Sequence, residues 1–203
     1  MNTSEFIRNV EVKLNRIDSS SYEDIRPEEV VFFANDALKS LTLAFDLGAY
    51  SQLLDEFAIK TYLAHLHAVE PAAVVNNNEL VLDAKVFKFK DMEAYVEIGD
   101  EKDWVDTRFL DNNENSSRED NPFRRSFPDS PIYRLIDKKI VFEVNGFNVT
   151  KARYEYLKYP VEITEGGTLD YPFITELEDK TVTIILENLE NQRLGSQPQV
   201  ART

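Results

Sequence analysis

The chain contains no cysteine. That absence excludes disulfide staples, zinc–thiolate sites and thiol nucleophiles, and it sets the expectation of a protein made in a reducing cytoplasm. Histidine is almost as scarce. His65 and His67 are the only two, and they lie two apart in a segment whose apolar spacing predicts a helix. Residues two apart on a helix do not share a face, so the pair lacks the i, i+4 geometry of a helical metal site. The six glycines, Gly48, Gly99, Gly146, Gly166, Gly167 and Gly195, all fall at expected element ends. A phosphate-cradling loop needs clustered glycines between a strand and a helix N-terminus. Gly166-Gly167 is the one cluster, and no Lys-Ser/Thr follows it. No Gly-x-Ser-x-Gly elbow is present. No apolar run approaches the ~20 residues that span a membrane. The opening Met1-Asn2-Thr3-Ser4-Glu5 has neither the basic nor the apolar region of a signal peptide. The sequon Asn148-Val149-Thr150 therefore reads as a coincidence of turn residues.

Bases are also in short supply, 23 against 37 acids, for a net charge of -14. A nucleic-acid binder shows a basic footprint, and the composition carries none. An acidic surface confers solubility and self-repulsion; it also suits a chain that repels DNA or meets a basic partner. Adjacent acids such as Glu28-Glu29 and Asp55-Glu56 read as solvated surface, because acid–base catalysis needs two carboxylates in distinct environments. No catalytic residue, metal or cofactor is expected, and the chain does not read as an enzyme.

What is present is a sizeable core: 42% hydrophobic residues, with 13 Phe and nine Tyr. Three helices are expected before residue 72. Phe6, Val10, Leu14 and Ile17 stripe the first, capped by Asn2, Thr3 or Ser4. Pro27 opens the second, with Glu28 and Glu29 in its first turn and a stripe of Val30, Ala34, Ala37, Leu38, Leu41 and Phe45 that Gly48 ends. The third carries Leu53, Leu54, Phe57, Ala58, Tyr62, Leu66 and Val69, with Pro71 as its stop. Period-two alternation then predicts strands around Phe87–Lys90 and Glu93–Ile98, with a turn at Gly99-Asp100 and a further strand over Trp104–Leu110. A strand pair is expected over Lys139–Val144 and Arg153–Tyr159, joined by the Asn145-Gly146 turn. Tyr154, Tyr156 and Tyr159 read as sheet packing. Pro172 opens a last helix with Ile174, Leu177, Ile184, Ile185 and Leu189, and Gly195 caps it.

The expected fold class is α+β: a helical bundle of three N-terminal helices plus a C-terminal helix, with an inserted β-rich subdomain. Residues 1–75 form the N-terminal part of the bundle and 76–165 the β-rich subdomain with its long polar loop 111–131. Residues 166–193 form the helix that packs back on the bundle, and 194–203 a flexible tail. The loop interleaves Arg124 and Arg125 with Phe123 and Phe127. Such a pattern contacts either nucleic acid or an acidic protein neighbour with the aromatics as anchors; the chain's acidity favours the protein. Those four residues, with Arg193 and Leu194 at the last helix's end, are the candidate partner contacts.

Three stretches carry a likeness: Glu5-Phe6-Ile7 through Ala37-Leu38; Trp104-Val105-Asp106-Thr107-Arg108 with Asn121-Pro122-Phe123 and Ser130-Pro131-Ile132-Tyr133; and Tyr156-Leu157-Lys158-Tyr159-Pro160 followed by Leu186-Glu187 and Gln192-Arg193. In that order they resemble the head–tail connector proteins, the adaptor or neck rings, of crAss-like and related short-tailed phages. The Gly166-Gly167-Thr168 joint and the strong acidity depart from that pattern. The resemblance implies a virion protein, made in the host cytoplasm, that forms a homo-oligomeric ring, commonly of twelve copies. It implies the portal and the adjacent neck or tail proteins as partners, with genomic DNA passing through unbound and no membrane involved. An acidic lining would let DNA slide. The competing expectation from charge is an acidic DNA-mimic that inhibits a nucleic-acid enzyme.

Overall fold

The computed structural model describes residues 1–17, 25–49, 54–110 and 125–196, with the backbone alone for 191–196. Among them lie four helices and eight strands, an α+β arrangement. The chain divides into two units with separate cores: residues 1–65 with 160–203, and residues 66–159. The β-rich part is thus an insertion in a helical part, with its limits at 66 and 159 rather than 76 and 165.

In the helical unit, α1 (Thr3–Ile17) is capped by Asn2, whose Oδ1 accepts from the Glu5 N–H at 2.7 Å. Phe6, Val10 and Leu14 are buried as their spacing predicts; Ile17, in the last turn, is 59% exposed. α2 (Pro27–Asp46) begins with a capping box in which the Glu29 carboxylate accepts from the Arg26 N–H. It ends at Gly48, whose φ of +80° is one that only glycine adopts freely. Its buried face is Val30, Ala34, Ala37, Leu38, Thr42 and Phe45. α3 (Glu56–Leu66) departs from expectation in phase: Ile59 is fully buried and Phe57 is 79% exposed. Asp55 sets that phase, since its carboxylate accepts from the N–H groups of Phe57 and Ala58 and starts the helix there. Leu53 lies outside the described residues. α4 (Ile174–Ser196) packs on α1 and α2 through Leu177, Val182 and Ile185. It runs through Gly195, so the expected cap and the tail start at 194 are corrected.

The predicted third helix does not reach Val69. At Leu66 the chain turns into β1 (His67–Val74), which pairs antiparallel with β8 (Asn148–Lys158). Cross-strand pairing overrides the helical spacing. Pro71 falls where the register shifts between Glu70 and Ala73, on an edge strand, where a missing N–H costs little. His67 is therefore a strand residue, 3.2 Å from the Glu155 carboxylate. The sequon Asn148-Val149-Thr150 lies in β8, not in a turn.

Two four-stranded sheets make up the inserted unit. One has the order β1-β8-β3-β4, with β3 spanning Val86–Ile98 and β4 Glu101–Asp106; the other has the order β2-β7-β6-β5, with β2 Glu79–Val81, β5 Arg108–Phe109, β6 Ile132–Ile136 and β7 Lys139–Glu143. Met92, Ala94, Val96, Ala152, Tyr154 and Tyr156 from the first sheet share one core with Leu80, Tyr133, Ile140 and Phe142 from the second. The Gly99-Asp100 turn closes the β3–β4 hairpin. The Asn145-Gly146 turn closes no hairpin: β7 pairs with β6 and β2, and the turn delivers the chain to β8 in the other sheet. Phe147 is buried there and anchors the crossing. Tyr154 and Tyr156 are core residues, 2% and 3% exposed, whereas Tyr159 is 43% exposed and tilts against Phe87.

Burial pushes two phenols up to about 12: Tyr62, whose OH lies 3.0 Å from Thr42 Oγ1, and Tyr133, where the Asp91 charge adds to the effect. The fold favours the neutral form, so the folded pKa exceeds the ordinary value near 10. The stabilisation each gives is intact below pH about 10 and is lost as pH rises toward 12. Denaturant titrations should show stability falling over that window, by on the order of 2 kcal/mol per tyrosine. The fall should shrink in Tyr62→Phe and Tyr133→Phe variants measured the same way; an unchanged alkaline profile in both would refute the assignment.

Candidate functional site at the β5 edge

Thr107 creates the site. Its N–H and its Oγ1 both donate to the Met92 carbonyl, at 3.3 and 2.7 Å, which ends the β4 ladder. The expected strand over Trp104–Leu110 is therefore split, and its last residues join the second sheet. There the Arg108 N–H donates to the Pro131 carbonyl and the Leu110 N–H to the Tyr133 carbonyl, both at 2.9 Å. The β5–β6 pairing is parallel, Arg108 with Ile132 and Phe109 with Tyr133. Parallel neighbours need a crossover of a dozen residues or so. The topology thus accounts for a long connection between Leu110 and Ile132, where the sequence alone shows only a polar stretch.

The end of that connection folds back on the edge. The Arg108 guanidinium donates to the Arg125 carbonyl at 2.9 Å. Ser126 is buried, and its Oγ accepts from the Ile132 N–H at 3.0 Å. Phe127 and Ser130 bridge across a tight turn. These bonds present two phenylalanines to solvent, Phe109 at 58% and Phe127 at 47% exposed, beside the exposed Arg108 and Arg125. The Phe109 ring stands 5.5 Å from the buried Tyr133 ring, which fixes its direction. Among the described residues, no strand pairs with the outer side of β5.

Of the expected contacts, Arg125 and Phe127 are brought together here. Phe123 and Arg124 lie outside the described residues. Arg193 and Leu194 belong to the last turns of α4, in the helical unit. Arg108 and Phe109 complete the group and were not expected; they join it through the parallel pairing of β5 with β6.

The outer face of the first sheet carries a second aromatic group, which is internally satisfied. Trp104 and Tyr95 are cross-strand partners with rings 5.3 Å apart. The Arg153 guanidinium lies over Trp104 and pairs with Glu93, and the Lys151 ammonium lies over Tyr95. The cleft lined by Val69, Asp91, Met92, Glu93, Arg153 and Glu155 measures about 60 Å³, small beside the ~300 Å³ at which ligand pockets begin. Among the described residues, no group of three His, Asp or Glu side chains is placed to hold a metal ion.

Charge is divided unevenly. The helical unit carries 19 acids and 9 bases, the inserted unit 18 and 14, net charges of -10 and -4. The helical unit also exposes apolar side chains: Phe32 at 62%, Leu47 at 76%, Phe57 at 79% and Val161 at 76%. No helix among the described residues is long and apolar enough to cross a membrane. No protein-family model matches the chain, and no curated protein matches its sequence.

Proposed function

We propose that this chain is a structural virion subunit of a phage head–tail neck. In this reading copies assemble into a ring around the DNA channel and join the portal to tail components. The observation that carries the reading is the solvent-facing set of large apolar residues on an otherwise highly charged helical unit. Scattered single exposures are ordinary, but Phe32, Leu47, Phe57 and Val161 in one unit with a net charge of -10 favour a surface made to be covered. The likeness of the three sequence stretches to neck proteins supplies the identity of the assembly. The acidic balance suits a channel that DNA traverses without sticking.

The concentration of acids in the helical unit is also the one observation favouring the DNA-mimic alternative. One experiment separates the two. Affinity-tagged chain, expressed during phage infection, should co-sediment with intact virions and cross-link to the portal. Recovery with a nuclease or polymerase, and absence from purified particles, would replace the neck reading with the inhibitor one.

A further inference from the structure

We propose that the outer face of α2 on one copy of this chain is the docking surface for the β5 edge of a second copy, so that copies join head to tail. The proposal rests on the assembly reading above and names its contact. Phe32, Leu43 and Leu47 are 62%, 36% and 76% exposed. Phe32 and Leu43 are about three turns apart along α2, and the C-cap residue Leu47 follows one turn on, which stacks them opposite Val30, Ala34 and Leu38. Phe32 is held edge-on against the half-buried Phe33, ring centroids 5.5 Å apart. Acids frame this stripe: Glu28 and Glu29 open it and Asp36 interrupts it. Lys39 is the single base within α2, 3.7 Å from Asp36, and no base lies in the last turn.

The β5 edge has the inverse chemistry. Two exposed phenylalanines, Phe109 and Phe127, stand among two arginines, Arg108 and Arg125. Aromatic side chains and arginine are the residue types that anchor interface centres. A second copy is the occupant because the charges match. In a chain of net charge -14, two copies repel over most of their surfaces, and an arginine-rich edge against an acidic stripe relieves that repulsion at one register. β5 is two residues long, too short for its free edge to template a strand, so side chains carry the contact. Two different patches give a heterologous interface, which repeats from copy to copy and closes into a ring where the rotation permits.

The test uses the full chain and two charge-reversed variants, R108E/R125E and E28K/D36K, each checked for unchanged circular dichroism. Native mass spectrometry and sedimentation should show wild-type association growing with protein concentration. It should weaken as salt rises and the screening length shrinks from about 10 Å at 0.1 M to about 3 Å at 1 M. Each variant alone should associate at least tenfold more weakly, and an equimolar mixture of the two should recover association, because every contact in the mixture again joins opposite charges. The inference is overturned if the wild type stays monomeric at all soluble concentrations, if either variant associates like the wild type, or if the mixture does not recover. Loss of single-stranded DNA binding in R108E/R125E with association intact would overturn it in favour of a nucleic-acid contact. Rings that form regardless of these substitutions would refute the contact and leave the neck reading standing. Salt-sensitive, mutation-sensitive association in a chain absent from virions would do the reverse.

Discussion

Phe173→Ala should destabilise the helical unit by about 3–5 kcal/mol. Phe173 is fully buried immediately before α4. Its ring meets Phe45 of α2 at 4.9 Å and Tyr62 of α3 at 5.0 Å, both edge-to-face, and stacks on Tyr171 at 5.6 Å. Removing it deletes the transfer free energy of a large side chain and opens a cavity whose walls sit on three different elements, which limits collapse. Edge-to-face pairs add about 0.5–1.5 kcal/mol each beyond burial. Small domains are stable by only about 5–15 kcal/mol, so a large share of the helical unit's margin would go. Hydrogen exchange should report the loss unevenly. Amides of α1, α2 and α4 should exchange much faster, while β3 and β8 of the inserted unit, whose core is separate, should change little. A drop below about 1 kcal/mol in chemical denaturation, or equal acceleration in both units, would show that the aromatic cluster does not close the helical core.

The stripes of α1 and α2 were readable, because their apolar residues recur at helical spacing, with Asn2 capping α1 and Pro27 opening α2. The inner face of β3 was readable for the same reason at period two. α3 was misread because Phe57 is as apolar as Ile59, and only the Asp55 cap decides which of them turns inward. β1 was misread because its partner β8 is distant in the chain, from Val74 paired with Lys151 to His67 paired with Leu157, and leaves no local trace. The Asn145-Gly146 turn had a hairpin's composition without a hairpin's topology. A turn residue fixes a backbone bend, but the sheet that the next strand joins depends on which face Phe147 and Val149 bury. The same holds for the site. Arg125 and Phe127 were visible as a basic–aromatic run, yet Arg108 and Phe109 join them only through the parallel β5–β6 pairing, which no local pattern announces.

The insertion imposes one further demand. The helical unit is assembled from the two ends of the chain, so its core closes only after residues on either side of the inserted unit have met. The meeting is written in hydrogen bonds rather than apolar contact alone. Thr3, 1% exposed, shares its one hydroxyl proton between the carbonyls of Thr164 and Gly167, 2.9 and 3.0 Å from Oγ1, and its N–H donates to the Gly167 carbonyl. The Met1 carbonyl accepts from the Leu169 N–H at 2.8 Å. On the other side of α1, Glu178 is 6% exposed and accepts from Asn9 at 2.8 Å and from Lys13 at 2.9 Å. These contacts stitch the returning segment to the helices made first, and they set the frame on which the exposed stripe of α2 is presented.

A further stitch is Asn35, and Asn35→Leu is expected to cost about 3 kcal/mol. Its side-chain amide reads the Ile163 backbone from both sides: Nδ2 donates to the Ile163 carbonyl at 3.0 Å, and Oδ1 accepts from the Ile163 N–H at 2.8 Å. Nδ2 also reaches the Val31 carbonyl at 3.1 Å. Leucine keeps the branching at Cγ but is the larger side chain, so some overpacking adds to the loss of the hydrogen bonds. Ile163 is 6% exposed, and its N–H and C=O would both be left without the partner they have now. An unsatisfied buried backbone group costs about 1–3 kcal/mol, and two such groups give the expected figure. The Val31 carbonyl is spared, because it lies within α2 and keeps the bond its helix supplies. Equilibrium unfolding of the Leu variant tests the magnitude. Asn35→Ala in parallel separates the causes, since it makes the same hydrogen-bond loss and adds a cavity. Equal losses in both variants, each near 3 kcal/mol, would identify the backbone bonds as the source. If the Leu variant is as stable as the wild type, water replaces the amide at Ile163, and the return of the chain onto α2 depends on the apolar core alone.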